Sequence, residues 1–182
     1  MNLEQVPGFL FFDHVAVSVK PGELEAHVDA YRAMGFREVH REDVLGGDQV
    51  REVLLQVGDG PNLVQLLEPL TPESPVAKQI EKNGGRGGLA HVALRVQDIH
   101  RAFDYMQQHG FKLIDKAPRK GSRGTTVFFV HPKTTDRAAF GYLIEVVEEP
   151  LAGRHSTSGA QAASKEPAAQ SGPVTEEGKN GG

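Results

Sequence analysis

Cysteine is absent from the 182 residues. Disulfide frameworks, thiolate metal sites and cysteine nucleophiles all need that sulfur, so each is excluded, and any metal must be held by nitrogen and oxygen ligands. A strong excess of one charge is also missing: 20 Lys plus Arg against 24 Asp plus Glu leave a formal net charge of -4. Sequence-independent binding to nucleic acid is therefore not expected, although a local basic loop can still grip a small anion. Long hydrophobic runs are lacking as well. The opening MNLEQVPGFLFF has no basic region and only a short apolar run, far below the roughly 20 residues of a membrane span. The expectation is a cytoplasmic protein without a membrane partner. The sequence contains no phosphate-binding Walker loop, no dinucleotide-binding glycine fingerprint and no Gly-x-Ser-x-Gly nucleophile elbow. From Ala152 onward there is no Leu, Ile, Phe, Tyr or Met, so burial cannot offset the entropy of ordering, and residues 151–182 read as a disordered low-complexity tail.

What remains, residues 9–150, contains an internal repeat. His14-Val15-Ala16 with Val19 recurs as His91-Val92-Ala93 with Val96, and Gly35-Phe36 recurs as Gly110-Phe111. Each copy begins as a strand whose apolar residues alternate and continues as a helix whose apolar residues recur at helical spacing. In the first, Phe12, His14, Ala16 and Ser18 are expected on one strand face, Pro21 in the first helical turn, and Leu24, Val28, Tyr31 and Met34 along one helix face until Gly35. In the second, Ile99, Phe103 and Met106 mark the helix stripe. Three strand-like runs follow each helix, at 36–42, 50–57 and 62–68, then at 111–115, 125–131 and 141–147. The pattern predicts an α+β fold of two tandem βαβββ modules, about 9–70 and 86–150, forming a pseudo-symmetric, curved mixed-sheet half-barrel. A linker at 71–85 carries a short helix from Ser74-Pro75 through Lys82, before the flexible Gly84-Gly85-Arg86-Gly87-Gly88 run.

Four polar residues interrupt apolar strand text at matching places in the two copies. His14 and His91 lie on first strands; Gln65 and Glu145 lie on last strands, 51 and 54 residues later. Each alone reads as a hydrogen-bonded core residue. Four together, on strands that can pair side by side, point to one shared divalent cation, because an unpaired buried polar group costs roughly 2–7 kcal/mol on the harshest scales. Two imidazoles, an amide carbonyl and a carboxylate suit Co first, with Mn, Ni, Mg or Zn as alternatives. His27, His40, His100, His109 and His155 read as ordinary surface, and His131, before Pro132, as a strand-end cap. Glu52 is expected to point inward with Val50 and Leu54. There a carboxylate beside a metal-bound substrate is a candidate general base, and an exposed edge-strand residue is the alternative.

Over residues 9 to 148 the sequence resembles methylmalonyl-CoA epimerases of the vicinal oxygen chelate, glyoxalase-like superfamily. The matching text comprises the two His-Val-Ala strands, Gln65-Leu66-Leu67-Glu68-Pro69-Leu70, Glu73-Ser74-Pro75-Val76-Ala77-Lys78, Leu113-Ile114-Asp115, and His131-Pro132-Lys133 ahead of Leu143-Ile144-Glu145. The resemblance implies metal ligands at His14, Gln65, His91 and Glu145, and a catalytic glutamate at Glu52 with Glu145 as the second acid or base. It further implies epimerisation of an acyl-CoA thioester through a metal-stabilised enolate, in a homodimer. Arg119, Lys120 and Arg123, in a glycine-punctuated loop, could hold coenzyme A phosphates, and a solvated loop is the alternative. Two departures border the expected pocket: Val44-Leu45-Gly46-Gly47-Asp48 replaces a more usual Pro-Glu-Gln-Gly turn, and the stretch from Lys133 to Gly141 is longer than the family's short link. Other readings stay open: a glyoxalase I-like lyase, an extradiol dioxygenase, against which Gln65 argues, or a metal-free protein that binds a small ligand.

Overall fold

A computed structural model of the chain describes residues 3–133 and 141–148. The expected tail lies outside the described residues. Strand β1 (Phe9–Ser18) leads into helix α1 (Leu24–Ala33), and β2 (Arg37–Val44), β3 (Val50–Gln56) and β4 (Leu63–Pro69) complete the first half. Helix α2 (Pro75–Lys82) links it to β5 (Gly88–Val96), α3 (Ile99–Gln108), β6 (Arg119–Lys120), β7 (Thr126–Val130) and β8 (Leu143–Glu148). All eight strands form one mixed sheet in the order β2-β3-β4-β1-β5-β8-β7-β6. β1 pairs parallel with β4 and β5 parallel with β8, while β1 and β5 meet antiparallel at the seam. The predicted duplicated α+β half-barrel is thus the observed fold.

Period-two alternation sorts each strand between two faces. Leu66 and Val53 pack with Leu24 and Val28 of α1, while Ile144 and Val146 pack with Phe103 and Met106 of α3. Each half therefore has its own core on the helix side. The intervening residues Gln65, Glu52 and Glu145 line a cavity on the other side. At the seam the backbones approach closely: a β-carbon on Gly87 would collide with the Ser18 carbonyl oxygen.

Four local expectations are corrected. First, α1 starts at Leu24, three residues beyond Pro21, because Gly22 turns the chain with φ of 83° and Glu68 Oε1 accepts the Gly22 and Leu24 N–H groups at 2.6 and 3.4 Å. Glu148 does the same for α3, accepting the Ile99 N–H at 2.9 Å. Both carboxylates sit three residues beyond the inward polar residue of their strand, so the repeat extends to the helix caps. Second, Met34 falls off the helix stripe and is exposed. Third, 111–115 shrinks to a single bridge: Leu113 pairs with Val130 through the Ile114 N–H to Phe129 and His131 N–H to Lys112 backbone bonds, both 2.8 Å. Beyond it the Asp115 carboxylate accepts the Phe129 N–H at 2.7 Å in place of a further ladder bond. The strand that pairs with β7 there is the short Arg119–Lys120. Fourth, strict alternation in β1 fails. Phe12 pairs with Leu94 and Val15 with Val92, so one extra residue bulges at Asp13-His14. Both side chains turn inward and are buried, whereas Phe12 is exposed.

Candidate metal centre and active site

The register explains why the polar residues converge. Ala16 of β1 lies between Gln65 on β4 and His91 on β5, and Ala93 lies opposite Glu145 on β8. The small Ala16, fully buried, leaves room for its larger neighbours. His14 Nε2 stands 3.0 Å from His91 Nε2, and Glu145 Oε2 lies 3.2 and 3.3 Å from these two nitrogens. Asp13, delivered by the bulge, accepts a hydrogen bond from His14 Nδ1 at 2.8 Å, which turns Nε2 toward the centre. Arg95 in turn donates its Nε–H to Asp13 at 2.7 Å and closes the ion pair with Nη2. The Phe129 ring packs edge-on against His91 with centroids 5.7 Å apart.

Two imidazole nitrogens and a carboxylate oxygen at this separation cannot all present lone pairs to one another without a positive species between them. The side chains respond accordingly. Burial by itself lowers the His14 pKa, but hydrogen bonds to Asp13 and Glu145 outweigh it and raise the pKa to about 9. Burial likewise disfavours the Glu145 anion, yet hydrogen bonds with His14 and His91 hold its carboxyl far below the ordinary range. A proton thus does what a cation would do. The amide of Gln65 adds an independent sign: its Oε1 is buried without a hydrogen-bond partner, while Nε2 donates to Glu52 at 2.7 Å. An orphaned carbonyl oxygen lining the same cavity as His91 and Glu145 fits a divalent ion. His14, His91 and Glu145 can hold one.

Glu52 lies on β3, an interior strand between β2 and β4, and is only 2% exposed. Gln65 holds it from one side, the Ser122 hydroxyl and the Arg123 guanidinium act on it from another, and by geometry its Oε1 closes no hydrogen bond. Burial pushes its carboxyl up to about 7. The cavity that these groups share, of about 490 Å³, has Val50, Leu67, Val127 and Phe129 as apolar walls, within the usual range for a small-molecule site.

His40 is no ordinary surface residue. Its Nε2 is buried 3.8 Å from Glu52 Oε1 and 3.5 Å from Glu42 Oε2. The sequence signal was period two within β2, where His40 and Glu42 share a face next to β3. His131 does cap its strand end, accepting the Lys133 N–H at 3.0 Å. The basic loop divides. Arg119 is clamped by Asp48 and Asp115 at 3.1 Å and stacks over Phe129, Arg123 leans toward Asp13 at 3.6 Å, and Lys120 is exposed. Asp48, from the departing loop after β2, thereby ties the first half to the second.

Residues 13–129 match the glyoxalase/bleomycin resistance protein/dioxygenase superfamily. The chain belongs to this superfamily. Within it, a mitochondrial methylmalonyl-CoA epimerase from Dictyostelium discoideum is 31% identical over 146 residues, covering 75% of this chain and 77% of that protein. An ethylmalonyl-CoA/methylmalonyl-CoA epimerase from Cereibacter sphaeroides is 33% identical over 66% of this chain and 87% of its own length. Among solved structures, the methylmalonyl-CoA epimerase from Mycobacterium tuberculosis superposes with a TM-score of 0.70 at 30% identity, covering 79% of this chain and 91% of that one. With these relatives, the chain is an isomerase of the epimerase type. No helix among the described residues is long and apolar enough to cross a membrane.

Proposed function

We propose that the protein interconverts (2R)- and (2S)-methylmalonyl-CoA, using a divalent cation held by His14, Gln65, His91 and Glu145. The observation that carries this reading is the placement of Glu52: a buried carboxylate with one unpartnered oxygen, sharing its cavity and a hydrogen bond with the donor set. Epimerisation needs a base that can take a weakly acidic α-proton near neutral pH, and a carboxyl raised to about 7 is matched to that task. Glu52 takes the proton from one face of the α-carbon, and the electron pair of the broken C–H bond moves toward the thioester carbonyl. The bound cation supplies Lewis-acid stabilisation for that charge. A proton then returns to the opposite face, a role that the resemblance assigns to Glu145; in the free protein that carboxyl is held ionised, so it serves only after taking up a proton itself. The apolar walls exclude water from the reacting centre, and the Gln65 amide holds the Glu52 carboxylate in orientation.

The coenzyme A end is assigned to the loop of Arg119, Lys120 and Arg123. Lys120 is available for a phosphate, whereas Arg119 and Arg123 must first give up carboxylate neighbours. A homodimer and a cytoplasmic setting belong to the same reading, as does a single catalytic domain over residues 9–150 with modules at about 9–70 and 86–150. A solved methylmalonyl-CoA epimerase complex with methylmalonyl-CoA, at 32% identity and a TM-score of 0.69, supports the choice of substrate.

The test is proton exchange. Metal-loaded protein with (2R)- or (2S)-methylmalonyl-CoA in deuterated buffer is expected to wash out the α-proton, followed by NMR or mass spectrometry. Glu52→Gln is expected to bind metal normally and lose 100-fold or more of the exchange rate. No exchange by the loaded wild-type protein would overturn the function, and full activity in the variant would overturn the role of Glu52.

A further inference from the structure

Glu42 on β2 and Glu52 on β3 are direct cross-strand partners. Like charges placed opposite each other on a sheet repel, so such a pair calls for a compensating group. His40, two residues from Glu42 on the same strand face, brings its Nε2 to 3.5 Å from Glu42 Oε2 and 3.8 Å from Glu52 Oε1. The three donor atoms lie within 4.8 Å of one another. Two of them, His40 Nε2 and Glu52 Oε1, are buried with no hydrogen-bond partner, and Glu52 as a residue is almost wholly buried. The other oxygens are committed elsewhere: Glu52 Oε2 accepts from Gln65 and Glu42 Oε1 from the Arg123 backbone N–H at 2.8 Å. The Arg123 guanidinium leans toward Asp13 at 3.6 Å, and it and the Ser122 hydroxyl offset part of the Glu52 charge without closing a hydrogen bond on Oε1.

We infer that His40, Glu42 and Glu52 form a second cation site, for a zinc-like dication, distinct from the His14–Gln65–His91–Glu145 set. One imidazole and two carboxylates are a zinc donor set, and bonds of about 2.0–2.2 Å place neighbouring donors a little over 3 Å apart, close to the spacing here. Small side-chain rotations complete it, leaving a position for water. Because Glu52 is shared, zinc bound here takes the carboxylate away from the substrate. The site therefore inhibits, and this consequence, unlike the binding itself, rests on Glu52 being the base of the proposed reaction.

Equilibrium dialysis of the whole protein against Zn²⁺, with bound zinc counted by atomic emission, tests the site without any turnover. The wild type is expected to bind one zinc more per chain than His40→Gln, with circular dichroism confirming that the variant is folded. Glu42→Gln, which keeps an oxygen for the Arg123 N–H, is the second variant and is expected to show the same loss. Equal zinc counts in the wild type and a folded variant overturn the inference. In the exchange assay, with each protein's rate taken relative to its own rate without excess zinc, zinc beyond the first equivalent is expected to suppress the wild type at least 10-fold and to spare His40→Gln. Equal suppression of the two overturns the inhibitory role. An extra zinc that binds to a protein inactive on methylmalonyl-CoA upholds the site and counts against the proposed substrate alone.

Discussion

Burial holds the Glu52 carboxyl at about 7 against an ordinary 4.5, and the shift acts on folding as well as on turnover. The folded state binds this proton more tightly than the unfolded state does, so stability falls as pH rises from about 4.5 through 7. Glu52→Gln removes the ionisation yet keeps an acceptor for the Gln65 amide. It is expected to unfold at higher denaturant concentration than the wild type at pH 8, by on the order of 1–3 kcal/mol, and to match it near pH 4.5. Identical curves at pH 8 would show that the carboxylate is not strained by burial. The same ionisation predicts a wild-type rate that climbs with pH and levels off above about 7. The residue proposed as the base is thus one that the fold holds at a cost, as expected where a polar group is kept ready for a substrate.

At the scale of the element, the β1 bulge makes the centre possible. An unbulged strand would send Asp13 to the face opposite His14, and the imidazole would lose the carboxylate that orients it. With the bulge, Asp13 links His14 to Arg95 across the seam in a wholly buried chain of polar contacts. Removing one partner of such a pair leaves the other uncompensated. Asp13→Asn is expected to weaken metal binding by about 10–100-fold, read by competition with a chromophoric chelator, while far-UV circular dichroism stays unchanged. An unaltered affinity would mean that His14 is oriented by its strand alone. The paired caps, Glu68 under α1 and Glu148 under α3, show the same economy: one strand presents both an inward polar residue and, three positions on, a carboxylate for its own helix.

Across the whole molecule, the donor set joins two halves that keep separate hydrophobic cores. His14 and Gln65 come from one half and His91 and Glu145 from the other, so the proposed ion would tie the halves together at the β1–β5 seam. Binding to the folded chain alone at 100 times Kd contributes about 2.7 kcal/mol. Stripping metal with a chelator is therefore expected to lower the melting temperature by about 5–10 °C, and reloading to restore it. A melting temperature indifferent to both treatments would argue against a cation shared between the halves. The Asp48–Arg119 clamp, like the Asp13–Arg95 pair, is a further tie between them.

The duplicated architecture and the inward quartet were legible in the linear text because they rest on periodicity: alternation fixes strand faces, and a repeat places like residues at like positions. The short α2 was legible for a similar reason, since Ser74 and Pro75 carry their capping chemistry locally. The bulge at Asp13-His14, the shortening of the 111–115 strand to one bridge with the Asp115 carboxylate accepting the next N–H, the pairing of Arg119 with Asp48 and the approach of His40 to Glu52 were not. Each depends on which strands lie side by side and in what register, and on which carboxylate burial leaves within reach. Sequence spacing fixes the face on which a side chain lies; only the packed chain decides what stands opposite it, and so whether a histidine is surface or site.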